Sequence, residues 1–225
     1  MKKIITVLIV ISAIIISCKK EVSAPAITSG TYMNFTPNST WNYDLTDNAT
    51  ATNLNYTITS SSKDTLAGGK TYHVFTNSTG VNEYYNVSGN DYYVYQSLPA
   101  VLGGAAVQNL YLKDNVNINT SWNQTYTFTV SNLPLTVIIT NTVSEKGISK
   151  TINTTNYADV IHITTTISLS ILGMPLPAGA LTTDIQSYYA KNYGMIQSKN
   201  KISLNYNGVV DNTDQLINLK VANIK

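Results

Sequence analysis

The 225-residue sequence contains no arginine, a single cysteine and only two histidines, and charged residues make up 12% of the chain. Globular proteins usually carry about 25% charged residues. Without arginine, the chain lacks the planar bidentate group that recognises phosphate and guanine. A chain this poor in cationic residues also offers little surface that could release counterions from a nucleic acid. These absences argue against a nucleic-acid partner.

Residues for catalysis and metal binding are equally scarce. Metal-ligand spacings, phosphate-binding glycine loops, nucleophile elbows and paired-carboxylate motifs do not occur in the sequence. His73 has no partner within its short predicted strand. His162 lies on the Thr/Ser face of its predicted strand, where we expect it to be solvated. Because general acid–base catalysis needs positioned titratable groups, we predict a non-enzymatic protein with no metal and no cofactor.

The longest hydrophobic run stands at the N-terminus. A lysine-bearing start precedes an apolar stretch over residues 4–16, which is shorter than the roughly 20 residues that a membrane-spanning helix requires. This arrangement is typical of a signal peptide. Residues 15–18 resemble a lipobox, the cleavage motif of bacterial lipoproteins. We therefore predict a lipoprotein signal peptide over residues 1–17.

Cys18 is the residue that this cleavage would expose. As the only cysteine of the chain, it has no partner for an intramolecular disulfide. We expect it to be the lipidated first residue of the mature protein, attached to the membrane by its acyl chains. Each buried methylene contributes ~0.8 kcal/mol, so two or three acyl chains anchor a protein durably where one chain does not. An ordinary signal peptide followed by a chance cysteine is the alternative.

Residues 18–30 have the composition of a flexible tether. They begin with a charged segment, residues 19–21, which resembles the signal that directs lipoproteins of the Bacteroidota to the outer face of the outer membrane. We predict an outer-membrane location, with the cell surface preferred to the periplasmic face. Loss of residues 1–17 removes two of the fourteen lysines and leaves twelve lysines against twelve acidic residues. The mature chain is therefore formally neutral.

Residues 31–225 alternate apolar and polar side chains with a period of two, which is typical of strands with one buried face. The longest alternating stretches cover residues 122–130 and 160–171. No window shows a helical period. We predict a single all-β domain over residues 31–225, a large curved antiparallel sheet or open barrel of about a dozen strands. Two packed sheets remain an alternative.

A curved sheet with one dry face provides a concave apolar surface. Aromatic residues on the predicted dry faces are the candidate ligand-binding residues: Trp41, Tyr43, Trp122, Tyr126 and Phe128. We predict that this surface binds a lipid or another hydrophobic ligand. Two alternatives remain open. One is a surface glycan-binding protein that uses exposed members of the sixteen tyrosines, and the other is a structural or assembly partner without a small ligand.

Two uncharged segments marked by proline interrupt the alternation, at residues 98–107 and 171–181. We expect them either to rim a cavity or to fold inward and close one end of the sheet.

A short segment, Asp64-Thr65-Leu66, is similar to the acceptor sequence of Bacteroidota O-glycosylation. We hypothesise a glycan on Thr65, which intact-mass analysis of the protein from its native host would detect.

Two blocks near the ends of the predicted domain resemble segments of uncharacterised Bacteroidota lipoproteins. Residues 35–43 read FTPNSTWNY, and residues 188–198 read YYAKNYGMIQS. The lipoproteins share a start of proline, small residue, tryptophan and aromatic residue, and a later block of tyrosine, alanine, glycine and aliphatic residue. The resemblance implies a curved antiparallel sheet similar in fold to the lipoprotein carriers LolA and LolB. It implies no enzymatic activity.

Overall fold

The structure, a computed structural model, describes residues 30–98, 104–130 and 133–225, together with the backbone of Val22–Ser23. The predicted signal peptide and Cys18 lie outside the described residues. This part of the chain contains fourteen strands and no helix. The strands are β1 (Val22–Ser23), β2 (Thr40–Asp47), β3 (Thr52–Ala67), β4 (Lys70–Asn77), β5 (Glu83–Ser88), β6 (Asp91–Ser97), β7 (Ala106–Lys113), β8 (Ser121–Val130), β9 (Leu133–Ile152), β10 (Thr155–Ile171), β11 (Met174–Pro175), β12 (Leu181–Ala190), β13 (Gly194–Tyr206) and β14 (Val209–Asn223).

Twelve of these strands form one antiparallel sheet in the order β7-β6-β5-β4-β3-β2-β14-β13-β12-β10-β9-β8. The short strands β1 and β11 add to β10 at its sides. Along this path each strand pairs with its neighbour in sequence, and β2 pairs with the last strand, β14. Among the described strands, the one break in this pattern separates β7 from β8. The predicted all-β class and strand number are confirmed, and the sheet is an up-and-down barrel open along one seam.

Tight turns connect the hairpins where the sequence supplies residues that accept a positive φ. Gly68 and Gly69 join β3 to β4 with φ values of 54° and 81°, and Asn207 and Gly208 join β13 to β14 with 48° and 80°. Two successive positive φ values give a turn whose twist matches that of the flanking strands. The sequence therefore supplies suitable turn residues at both hairpins.

The two longest strands, β9 and β10, contain the strongest irregularities of the sheet. Their ladder shifts register three times between Tyr157 and Ile163, and Asp159 adopts a φ of 51° at the first shift. Bulges of this kind bend a strand and redirect its side chains. The predicted alternation is consequently wrong at the start of residues 160–171, because Val160 and the next three residues are all buried.

The interior of the barrel holds two apolar clusters. The larger is rich in aromatic residues and includes Trp41 and Phe75, while the smaller is centred on Val137 and Leu169. The N-terminal segment, residues 31–39, packs on the larger cluster through buried Tyr32 and Met33. Burial of a large apolar side chain contributes about 1.5–3 kcal/mol, so this segment is an integral part of the barrel.

The structure describes no helix with the length and hydropathy needed to cross a membrane.

Candidate functional site

A cavity of about 360 Å³ lies inside the barrel. Its walls combine residues of both apolar clusters, such as Tyr111 from the larger and Ile139 from the smaller. The volume is at the lower end of the roughly 300–1,000 Å³ that is usual for small-molecule sites. The barrel thus encloses space for a compact ligand.

Side chains two residues apart on a strand share a face, so each strand contributes alternate residues to the cavity wall. Glu83 and Tyr85 enter it together from β5, and Val94 and Gln96 enter from β6. The aromatic members of the wall are Trp41, Tyr43, Tyr56, Tyr85, Tyr111, Tyr189 and Tyr193. The polar members are Glu83, Gln96, Asn109, Asn141, Thr165, Ser187, Ser198 and Asn200.

Glu83 is the only charged residue among the described residues of the cavity wall. Its Oε1 accepts a hydrogen bond from Asn77 Nδ2 at 2.7 Å, and its Oε2 accepts one from the Tyr85 hydroxyl at 2.7 Å. Elsewhere on the wall, the Thr165 hydroxyl donates to Asn141 Oδ1 at 2.6 Å. Asn109 differs from these residues, because its buried Oδ1 has no hydrogen-bond partner.

Tyrosine hydroxyls in the wall are held in the neutral form. Burial is the main reason that the pKa values of Tyr56 and Tyr85 lie well above that of free tyrosine. The negative charge of the nearby Glu83 carboxylate raises both pKa values further. Burial likewise raises the pKa of Tyr189 to about 12. At neutral pH these hydroxyls therefore act as uncharged hydrogen-bond donors and acceptors, and Glu83 supplies the only negative charge of the described wall.

The two blocks that carry the sequence resemblance meet beside the cavity. Trp41 Nε1 donates to the Tyr193 carbonyl at 2.7 Å, and the Tyr43 hydroxyl donates to the Met195 carbonyl at 2.9 Å. The backbone N–H of Asn192 donates to the Thr31 carbonyl at 2.7 Å. These hydrogen bonds connect the first block, and the segment just before it, to the second block.

No family model and no curated protein matches this chain. A crystal structure of a protein from Parabacteroides distasonis, named as a lipoprotein, matches with a TM-score of 0.51 and 12% sequence identity. The match covers 86% of this chain and 99% of that chain. The two proteins share a fold. Similarity to LolA and LolB remains a prediction.

The five predicted ligand-binding residues fall into two groups in this fold. Trp41 and Tyr43 are buried and line the cavity. Trp122, Tyr126 and Phe128 are half-buried on the same face of β8 and do not belong to the described cavity wall. The structure therefore brings two of the five residues to the cavity. The sequence analysis did not identify Glu83 or Asn109. Glu83 could have been found, because it stands two residues before Tyr85 in a strand and therefore shares the face of that tyrosine.

The residues of β8 instead meet β7 at the open seam. Trp122 Nε1 donates to the Leu110 carbonyl at 2.7 Å, and the Tyr126 hydroxyl donates to the Gln108 carbonyl at 2.7 Å. Gln124 Oε1 accepts a hydrogen bond from the Leu110 backbone N–H at 2.7 Å. Side chains of β8 thus bond to the backbone groups of β7 that a strand ladder would otherwise pair.

The distribution of tyrosine bears on the glycan-binding alternative. Seven of the sixteen tyrosines are buried and the other nine are half-buried. Many pack on other aromatic rings, as in the stacked pair Tyr43 and Tyr56, whose ring centroids lie 5.3 Å apart. None of the sixteen tyrosines is fully exposed, nine are partly exposed, and the glycan-binding alternative remains a prediction.

His162 is buried rather than solvated. Only 8% of its surface is exposed, its ring stacks on Tyr188 with the centroids 4.1 Å apart, and its Nδ1 lies 2.9 Å from Glu145 Oε2. The expectation of a solvated histidine is wrong because the bulges in β10 redirect this part of the strand.

His73 belongs to a hydrogen-bonded chain with the composition of a serine-hydrolase triad. Its Nδ1 lies 2.9 Å from Asp64 Oδ1, and its Nε2 lies 3.0 Å from Ser60 Oγ. Ser60 is fully buried, and its hydroxyl donates to the Phe35 carbonyl at 2.9 Å. The hydroxyl is therefore not accessible to a substrate, and the cluster holds the N-terminal segment against β3.

Of the two apolar segments, the second packs only in part. Leu176 and Leu181 contact the smaller cluster, whereas Leu172 and Met174 are exposed. In the first segment, Leu98 is buried against the cavity, and residues 99–103 lie outside the described residues.

Within the described ranges, no group of three or more His, Cys, Asp or Glu residues could hold a metal ion. Glycosylation of half-buried Thr65 remains a prediction.

Proposed function

We propose that this protein is a non-enzymatic outer-membrane lipoprotein whose barrel binds a small hydrophobic ligand in its interior cavity. The observation that carries this proposal is the cavity of about 360 Å³ with seven aromatic side chains in its wall. Aromatic and aliphatic walls with a few convergent polar groups are typical of small-molecule sites. The ligand would replace empty space by van der Waals contacts and would remove its own apolar surface from water.

The volume restricts the class of ligand. A cavity at the lower end of the usual range suits a single short chain or a ring system rather than a complete diacyl lipid. We therefore narrow the predicted lipid or hydrophobic ligand to a compact amphiphile.

The proposed location depends on Cys18. Lipidation of this residue would attach the barrel to the outer membrane, with the cell surface preferred. The lipoprotein name of the Parabacteroides protein supports this assignment, since that protein shares the fold and comes from the group of bacteria whose lipoproteins the motifs resemble.

A cavity-filling substitution tests ligand binding directly. Val94 is half-buried in the cavity wall, so Val94→Trp should occupy the space that a ligand would use. The chain from residue 18, carrying Cys18→Ala, would be fused to an ordinary secretory signal peptide, produced in its native host and studied by native mass spectrometry. We expect the parent chain to retain a non-covalent ligand and the Val94→Trp variant to lose it.

Val221→Trp provides the matched control, because Val221 is 58% exposed on β14. This variant should retain the ligand. A parent chain that carries no ligand and takes up none of a panel of short amphiphiles would contradict the proposal and favour a structural or assembly role.

A further inference from the structure

Among the described residues, no cation pairs with Glu83. The two groups that donate to its carboxylate, the Asn77 amide and the Tyr85 hydroxyl, are both neutral. The ion pairs of the described residues connect lysines and histidines to other carboxylates. A carboxylate in a partly desolvated apolar site is costly unless it is paired. Glu83 therefore provides a position at which a cationic ligand would be stabilised.

A second unpaired acceptor lies on the same wall. Asn109 Oδ1 is buried and has no hydrogen-bond partner, although a buried polar atom without a partner costs about 1–3 kcal/mol. The sheet register places Tyr85 opposite Val94, and Val94 opposite Asn109. The two acceptors therefore stand on alternate strands, β5 and β7, of one stretch of wall. This uncompensated amide oxygen adds to the negative potential that Glu83 gives this stretch of wall.

The aromatic walls favour the same charge. The face of a tyrosine or tryptophan ring is negative and attracts a cation within about 6 Å of its centroid. Seven such rings line the cavity with Glu83, among them Trp41, Tyr43, Tyr56, Tyr85 and Tyr111. The raised pKa values of Tyr56 and Tyr85 reflect the negative potential of the carboxylate in addition to burial.

We infer that the cavity selects an organic ammonium ligand, a protonated amine attached to a compact apolar body. The ammonium group would bind the Glu83 carboxylate, and the apolar body would pack on the aromatic and aliphatic walls. This inference rests on the proposed function, because it specifies the ligand class of the same cavity.

The test compares three ligands that have the same eight-carbon chain and different charge. Binding of octylammonium, octanol and octanoate to the mature chain with Cys18→Ala would be measured by isothermal titration calorimetry at neutral pH. Tryptophan fluorescence gives an independent reading, since Trp41, one of the two tryptophans, lines the cavity. We expect octylammonium to bind at least about tenfold more tightly than octanol, and octanoate to bind most weakly.

Glu83→Gln removes the charge with little change in shape and should bring the ratio of the octylammonium and octanol affinities to about one. Glu145→Gln is the matched control, because Glu145 contacts His162 and is not among the residues that line the cavity. It should leave all three affinities unchanged.

The outcomes separate this inference from the proposed function. If octanol or octanoate binds as tightly as octylammonium, the cavity binds hydrophobic ligands and the ammonium preference is wrong. If none of the three binds, both the preference and the proposed function are contradicted. Because the three-ligand comparison uses the parent chain, it remains decisive even if Glu83→Gln fails to fold.

Discussion

At the scale of single residues, Trp41 shows why a short sequence motif marks this fold. It is 1% exposed, packs on Phe75 with the ring centroids 5.7 Å apart, and donates to the Tyr193 carbonyl. One side chain therefore connects the larger cluster, the cavity wall and the second motif. A residue with both a large apolar surface and a single N–H donor is suited to this position, which phenylalanine could fill only in part.

We expect Trp41→Phe to destabilise the protein by about 2 kcal/mol or more, because it leaves the Tyr193 carbonyl without this donor and opens a void in the core. Urea unfolding followed by far-ultraviolet circular dichroism measures this loss. Trp122→Phe is the control. The Leu110 carbonyl that it releases still accepts a hydrogen bond from Asn141 Nδ2, so the cost should be below about 1 kcal/mol. Equal losses in the two variants would contradict this explanation.

At the scale of elements, the seam between β7 and β8 is the distinctive feature of the sheet. Unpaired edge strands invite pairing with other chains, and proteins cover them in several ways. Here the inward side chains of β8 bond to the main chain of β7. The barrel is closed by side chains at the one place where its ladder is interrupted. Because side-chain bonds can break without loss of a whole ladder, we expect the seam to open before the rest of the sheet.

Hydrogen exchange of the Leu110 amide tests this account. Gln124→Ala removes its acceptor, so we expect exchange to accelerate by roughly two- to tenfold, the equivalent of one ordinary hydrogen bond. Asn123→Ala, on the exposed face of the same strand, should leave the rate unchanged. An unchanged rate in Gln124→Ala would show that the side chain does not protect the edge of β7.

At the scale of the whole molecule, the N-terminal segment relates the predicted anchor to the barrel. The backbone N–H of Tyr32 donates to the Tyr92 hydroxyl at 3.1 Å, and the Phe35 carbonyl accepts from Ser60. The chain that follows the predicted tether is therefore fixed to several strands before β2 begins.

The anchor itself is tested by a fatty-acid label. In the native host, Cys18→Ala should abolish incorporation of an alkyne fatty-acid probe, because no other cysteine is available for acylation. Ser17→Ala keeps a small residue before the cysteine and should remain labelled. Protease digestion of intact cells then distinguishes the surface from the periplasmic face. Persistent labelling of Cys18→Ala would overturn the lipoprotein assignment.

Local patterns in the sequence were sufficient to predict the fold class. The alternation in residues 122–130 predicts the alternating burial of β8, and the glycine pair at Gly68 predicts the turn between β3 and β4. These features depend on neighbouring residues only, because strand period and turn chemistry are local properties. The same alternation identified Trp41 and Tyr43 as inward-facing aromatic residues.

Closure of the sheet, and therefore the cavity, was decided by tertiary structure alone. Trp122 and Trp41 have the same local pattern, yet one lies at the seam and the other in the cavity wall, because strand order determines which inward faces enclose space. His162 is buried beside Glu145 because bulges shift the register of β10 against β9. That register depends on partners far away in sequence, so the local pattern could not predict it. The sequence by itself determined the strands and the turns, and it predicts lipidation at Cys18. Only the pairing of β5, β6 and β7 could place Glu83 and Asn109 on one wall, because a site assembled from several strands exists only once those strands are paired.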